Sequence, residues 1–464
     1  MTETWNAALK AIIPTLTGCR AGPDMKHITY GANAYCVRSH SRDELRFCLP
    51  LLVTESVSKT ACPDSRGQDG AVWAALEHIK TQVPRIPALA PVGGRGTRHP
   101  RHCIAHTEPC TLICTPDGMG EALWKPDRNN FLDAFGLHIL VRGALPYPGP
   151  PTVPAQHDVR EKLRDLCDAI GDAEASVSPR QVETAVLTAI DQKSLRQRLP
   201  EEGIITFIAD GSLMARKETE VRNHYRIAGP KEGVHIPFFC PETLTPAEFD
   251  CEGSGGSLTG FAIRRREAVA IIGSNAEGKT TIIHGILSGV DDHAPGDGRE
   301  GIVTRRGIER IAAGAYGLKG ADVSLFFKSL PPGVNGTPKM AYGAGSGSLV
   351  MAYECVRACA RKAPAILFDE DTAANNLLIP SSFQTEDVTP LSEVLHHNRE
   401  ALGETALIFA AGSSDMLVAR ADVIIRLKDH AADAVPPQEF RAHLQDHLRE
   451  MLASLNEEKG TPRI

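Results

Sequence analysis

The chain has 464 residues, a formal net charge of −7 and a sequence pI near 6.2, so no global basic field draws it to nucleic acid. Its hydrophobic content of 42% supports substantial cores, whereas an aromatic content of 5% leaves few platforms for stacking bases. The length fits roughly three domains, and no apolar run approaches the ~20 residues of a membrane span. The start, MTETWNAALKAIIPTL, lacks the basic segment of a secretory signal and suits a transit peptide poorly. Twelve cysteines without a framework spacing read as reduced thiols in an intracellular, cytoplasmic compartment.

Residues 1–150 read as an N-terminal α+β accessory region. Leu51–Val53 and Leu112–Cys114 have the apolar texture of strands. Between them, His99, His102, Cys103 and His106 are followed by Cys110 and Cys114. These residue types bind zinc, but their spacing matches no standard zinc pattern. The plainer reading is a solvated loop with buried thiols, and the local Arg and His side chains also suit contact with a phosphate backbone.

The Pro-rich run from Leu145 to Pro154 reads as a stiff connector. Residues 151–200 then form a helical connector. Leu163, Leu166, Cys167 and Ile170 share one face of a first helix spanning Val159 to Ile170. Ser178 and Pro179 supply an N-cap and a first-turn proline for a second, with Gln181 completing a capping-box pattern. Its apolar face is Val182, Val186, Ala189 and Ile190.

From 201 to 432 the texture is that of an α/β core. Ile204–Ala209 reads as a buried strand ending in the turn Asp210-Gly211. A Gly/Ser-rich stretch, 251–260, leads to Arg264, Arg265 and Arg266, a solvated turn or a phosphate-backbone contact. An apolar strand, Ala268 to Ile272, then enters Gly273-x-x-x-x-Gly278-Lys279-Thr280, a full match to the phosphate-binding P-loop. Its glycines let the backbone curl so that successive N–H groups point at phosphate oxygens. The loop therefore places Gly273, Ser274, Asn275, Ala276, Glu277, Gly278, Lys279, Thr280 and Thr281 around a nucleotide. Lys279 adds positive charge at the β- and γ-phosphates, Thr280 offers a hydroxyl to Mg²⁺, and the following helix aims its positive end at the ligand.

Beyond the loop, Pro295–Glu300 reads either as a turn with a fixed backbone or, with Asp297, Arg299 and Glu300 so near the nucleotide, as a source of functional groups. Gly345, Ser346 and Gly347 precede an amphipathic helix and form a second candidate anion cradle. Ala365–Phe368 is an apolar strand ending in Asp369 and Glu370. Carboxylates at such a tip face the ligand crevice of an open sheet, where Asp369 is placed to hold Mg²⁺ and Glu370 to polarise water. Thr405–Ala411 is another buried strand, ending in Gly412-Ser413-Ser414-Asp415, and Ala421–Leu427 reads as the last. Residues 433–464 form a helical tail with Phe440, Leu444, Leu448 and Leu452 on one face, expected to dock on the body or on a partner.

The order of P-loop, small-residue turn, apolar-Asp-Glu strand and polar-tipped strand resembles the ABC-type ATPases. GSNAEGKTT is similar to their Walker A loop, and ILFDEDTAANN to their Walker B strand and D-loop, with Asn376 at the aspartate position. More closely, Thr206 to about Asp429 resembles the family described as predicted ATPases of the ABC class. Phe207–Ser212, His293–Glu300, Val323–Phe327 and Asp369–Thr372 carry that likeness. The resemblance implies an ATP-driven homodimer in which Gly345, Ser346 and Gly347 act in trans on the γ-phosphate, Mg²⁺ sits with Thr280 and Asp369, and Glu370, Lys279 and Ser414 serve catalysis. Members of that family in kinetoplastid mitochondria are RNA-binding components of RNA-editing ribonucleoprotein machinery, so a member of that group would be mitochondrial. Departures from the pattern are Ala276 for the usual glycine, the negative Glu277, a signature unlike LSGGQ, and no histidine after the 405–411 strand.

Overall fold

The structure is a computed structural model that describes residues 4–26, 44–83, 85–92, 130–216, 236–381 and 387–457. The His/Cys-rich stretch around 99–114, and with it the strand expected at Leu112–Cys114, lies outside the described residues.

The N-terminal part pairs two ten-residue strands, Glu44–Val53 and Leu137–Pro146, antiparallel along their whole length. Leu45, Phe47, Leu49, Leu51 and Val53 alternate onto one buried face, while Cys48 and Pro50 on the other are buried as well, so the middle of this strand is covered on both sides. Helices Gln68–Gln82, Val153–Ala175 and Pro179–Arg198 cover it, and one hydrophobic core takes in residues from Trp5 to Ile190. Because the strand runs to Pro146 and the helix starts at Val153, the proline-rich connector shrinks to six residues, 147–152. Ser178 does cap the second connector helix by position. The capping box does not form, however: the Ser178 carbonyl, not its hydroxyl, accepts from Gln181 and Val182.

The second half is an α/β unit built on a six-stranded sheet. Its order is 309–310, 365–369, 406–411, 268–273, 423–428 and 431–434, all parallel except the last. Parallel strands covered on both faces read as continuous apolar runs, and Ala365–Phe368 and Ala406–Ala411 are buried throughout. The antiparallel edge strand Ala431–Ala434 follows Asp429 and His430, two non-glycine residues with positive φ (52° and 65°), the geometry of a tight hairpin turn. The sequence offered no sign of it, since neither turn residue is glycine.

Two smaller antiparallel sheets flank this unit. One has the order 247–250, 257–264, 204–209, 302–304, and the other the order 317–321, 340–344, 335–337. The C-terminal helix Pro437–Glu457 lays Phe440 and Leu444 on the body, whereas Leu448 and Leu452 remain 45% and 61% exposed. Half of the expected docking stripe therefore faces outward.

Candidate nucleotide site

The site begins with packing. Phe368 and Phe409 are register partners on adjacent parallel strands, and their rings stack at 5.3 Å with both fully buried. Phe368 immediately precedes Asp369, and Phe409 lies three residues before Gly412, so this contact helps set how far Asp369 and the 412–414 segment protrude. The 406–411 strand lies between the carboxylate strand and the P-loop strand, so Asp369 and Thr280 must meet across an intervening strand.

The P-loop bends where its glycines sit. Gly273 has φ 150°, and a Cβ there would stand 2.6 Å from the Leu427 carbonyl oxygen; Gly278 has φ 100° and opens the helix Lys279–Ser288. Ala276 also has positive φ (68°), a left-handed conformation costing roughly 1–2 kcal/mol for a residue with a Cβ. That explains the glycine usual at this position. The Lys279 ammonium donates to the carbonyls of Gly273 (2.6 Å) and Ser274 (3.0 Å), inside the loop's concave face.

Asp369 is 5% exposed and its Oδ2 accepts from the Thr280 hydroxyl at 2.5 Å. Glu370, the next residue, turns to the end of the 406–411 strand. Its carboxylate accepts from the Gly412 and Ser413 amides, the latter at 2.9 Å, and from the Ser413 hydroxyl. Burial pushes the Glu370 carboxyl up, but these donors together with the Ser414 hydroxyl outweigh it and hold it below the usual glutamate range. A Cβ on Gly412 would lie 3.8 Å from Lys279 Nζ and 3.9 Å from Glu370 Oε2, so ammonium and carboxylate converge on one point of the backbone. Ser414 is buried and starts the short helix Asp415–Val418, its carbonyl accepting from Leu417 and Val418.

Glu277 does not direct its charge into the loop. Its Oε2 accepts from the His430 amide at 2.8 Å, and the Glu277 carbonyl oxygen lies 3.2 Å from the His430 ring Nδ1. The acid thus straps the P-loop to the 429–430 hairpin turn, a contact hidden in the sequence because the two residues are 153 positions apart.

Gly345, Ser346 and Gly347 sit elsewhere, at the end of the small sheet 317–321/340–344/335–337. The Gly345 amide bonds to Tyr316 O at 3.0 Å, and Ser346 starts the fourteen-residue helix Gly347–Ala360 without a side-chain cap. Its hydroxyl lies 3.4 Å from that of Ser348. Asn376 falls in the short helix Asn375–Leu378 that follows the carboxylate turn.

The 293–300 turn corrects an expectation. Its charged groups gather under the last residue of the P-loop helix, not at its phosphate-facing start. His293 Nε2 lies 3.0 Å from Ser288 O, and Arg299 Nη1 donates to Ser288 Oγ at 3.0 Å. A ten-residue helix is about 15 Å long, which separates this cluster from the loop. Asp297 is its hub, 2.7 Å from both Arg216 and His293. Burial pushes the Asp297 carboxyl up, but His293, Arg216 and Arg299 together hold it below the usual range.

A hollow of amides at a helix start, a lysine, and a hydroxyl–carboxylate pair of hard oxygens together define a P-loop nucleotide-binding site. The chain belongs to the ABC ATPase family, whose P-loop-domain model matches residues 178–459. It is 37% identical over 390 residues to the uncharacterized protein MJ1628 of Methanocaldococcus jannaschii, covering 83% of this chain and 84% of that protein. Among solved structures, cbiO1 from Clostridium perfringens, part of the ABC transporter complex cbiONQ, is similar over 55% of this chain and 97% of its own. Its identity is 13% and its TM-score 0.30. The ADP conformation of MJ1267, an ATP-binding cassette of an ABC transporter, covers 41% of this chain and 88% of its own, with 16% identity and a TM-score of 0.27. Family membership and the site geometry carry the assignment: this is an ABC-type P-loop ATPase with an α/β fold. No helix among the described residues is long and apolar enough to cross a membrane.

Proposed function

We propose that the chain hydrolyses ATP with Mg²⁺ at the interface of a homodimer and couples turnover to binding or remodelling RNA. The observation that carries the reading is the convergence of Lys279, the Thr280–Asp369 pair and Glu370 on one end of the sheet. Lys279 and the loop amides would hold the phosphates. Thr280 and Asp369 would hold Mg²⁺, which supplies charge neutralisation on the phosphate oxygens. Glu370, with its affinity for protons lowered by three donors from 412–413, suits orienting the attacking water better than removing a proton from it. Ser414, or Ser413 beside it, would sense the γ-phosphate. Gly345, Ser346 and Gly347 of a second copy would close over the nucleotide, with the uncapped helix start at Ser346 offering free amides to an anion.

A second reading, a nucleotide-gated RNA-binding module with little turnover, is favoured by the strained Ala276 and by the occupied Glu370 carboxylate. RNA contact is supported by the family resemblance and by basic residues at 95–102, outside the described residues, and 264–266, an exposed turn. Membership of a larger ribonucleoprotein complex, mitochondrial RNA editing included, rests on the resemblance alone.

ATP turnover of the purified chain with and without RNA, beside Glu370→Gln, separates the readings. RNA-stimulated turnover lost in Glu370→Gln supports the first. Salt-sensitive RNA binding without turnover, surviving Lys279→Ala, supports the second.

A further inference from the structure

A cleft of about 790 Å³ opens at the end of the six-stranded sheet opposite the P-loop. Pro364 and Thr405, which line it, immediately precede the strands Ala365–Asp369 and Ala406–Ala411, whose far ends carry the nucleotide site. Strands of this length span ~17–20 Å, so the two sites do not overlap.

Two arginines, Arg265 and Arg305, line this cleft. Arg265 follows the strand Ser257–Arg264 and Arg305 follows the strand Ile302–Thr304. These strands flank Ile204–Ala209 on either side. The Arg265 amide bonds to Gly203 O and the Arg305 amide to Ile205 O, both at 2.9 Å, so the topology fixes the two residues at one end of that sheet. The Arg265 side chain donates to Pro200 O. Among the described residues neither arginine has a carboxylate partner. Burial chiefly, and then the nearby Arg265 charge, pull Arg305 below the usual guanidinium range. Lys362 adds a third cation at the rim. Of the two acids lining the cleft, Glu404 is engaged by Arg266 at 3.5 Å, and the other is Glu400.

The rest of the lining includes Leu325, Val356 and Leu402. Apolar walls alternate with convergent charges in a cleft half open to solvent, and its volume lies in the range of small-molecule sites. We propose that the cleft is a second ligand site, taking a small phosphorylated molecule whose phosphate sits between Arg265 and Arg305 and whose less polar part lies against Leu325, Val356 and Leu402. Val356 belongs to the helix that begins at the 345–347 turn, so an occupant would bridge that helix and the antiparallel sheet carrying both arginines. The site is independent of the proposed hydrolysis.

Calorimetric titration with pyrophosphate tests it, using the full chain with Lys279→Ala to suppress the P-loop. Saturable binding is expected there, weakened about tenfold or more when Arg265→Gln and Arg305→Gln are added, the scale of a lost charge-assisted contact. Arg305→Lys should keep most of the affinity. Should circular dichroism show the double variant misfolded, the exposed Lys362→Gln serves instead, with a smaller loss. Absence of saturable binding in Lys279→Ala, or binding undiminished by the arginine changes, overturns the proposal. So does binding of a short uridine oligonucleotide by a cleft that ignores pyrophosphate, which would assign the arginines to a polymer.

Discussion

The Thr280 hydroxyl and the Asp369 carboxylate meet at 2.5 Å although the P-loop strand and the carboxylate strand are separated by a third. One comes from the first turn of the P-loop helix, the other from the tip of a buried strand. Their contact marks where a hard cation would be held and leaves Asp369 with a charge-assisted partner in a 5% exposed position. Thr280→Ala should lower stability by about 1–3 kcal/mol, the cost of an unsatisfied buried acceptor. It should also abolish the dependence of nucleotide affinity on Mg²⁺. Thermal unfolding and titration with and without the cation measure the two effects separately.

Glu370→Gln keeps the shape and two of the acceptor contacts with Gly412 and Ser413 but removes the charge. Turnover should fall by about 10²–10⁴-fold while ATP still binds. Since the Glu370 carboxyl is held below its usual value near 4.5, the side chain stays ionised through neutral and mildly acidic pH. A depressed carboxyl contributes stability above its unfolded value and loses it as pH falls through the folded one. The acid limb of both turnover and stability assigned to Glu370 should therefore lie below pH 4.5. A limb centred above that value in the wild-type chain, absent from Glu370→Gln, contradicts the hydrogen-bonded placement.

Ala276→Gly should stabilise the chain. At φ 68° the alanine pays for a Cβ that glycine lacks, and relief of about 1 kcal/mol corresponds to a rise of ~2–4 °C in Tm for a unit of this size. Calorimetry of the two chains decides it. A fall in Tm would mean the loop does not hold the left-handed turn.

The Glu277–His430 strap makes the P-loop answer to the C-terminal hairpin. Glu277→Ala removes the acceptor of the His430 amide and should raise hydrogen exchange at both 274–278 and 428–431, with Glu277→Gln restoring much of the protection. Were Glu277 a phosphate-facing repulsive charge instead, Glu277→Gln would tighten ATP binding and leave exchange at 428–431 unaltered.

Asp297→Asn strands Arg216 and tests the cluster beneath the P-loop helix. Removing one member of a buried charge pair costs about 3–5 kcal/mol. Because the Asp297 carboxyl lies below its usual 3.8, the wild-type contribution is complete above that pH and fades only as acid protonates it below. The difference in stability between the two chains should therefore narrow as pH falls below about 4.

Much of the nucleotide site was legible in the linear chain because its parts are local. Gly273, Gly278, Lys279 and Thr280 lie within one turn, and backbone sterics dictate that turn wherever it occurs. The apolar runs 204–209, 268–272, 365–368 and 405–411 announced buried strands, because a sheet covered on both faces leaves no polar alternation to confuse the pattern. What the sequence could not carry was anything defined by two distant segments. The strap from Glu277 to His430, the seating of Glu370 on the Gly412 and Ser413 amides, and the arginine pair at 265 and 305 depend on which strands become neighbours. Asp297, Arg299 and Glu300 stood as candidate functional groups near the nucleotide because they follow the P-loop helix closely in sequence, yet the helix's own length carries them away from the loop. Residue chemistry and short-range spacing determined that a triphosphate-binding loop and a pair of acids exist; strand order, fixed by burial of the apolar faces, alone decided which side chains meet and which merely lie nearby in the chain.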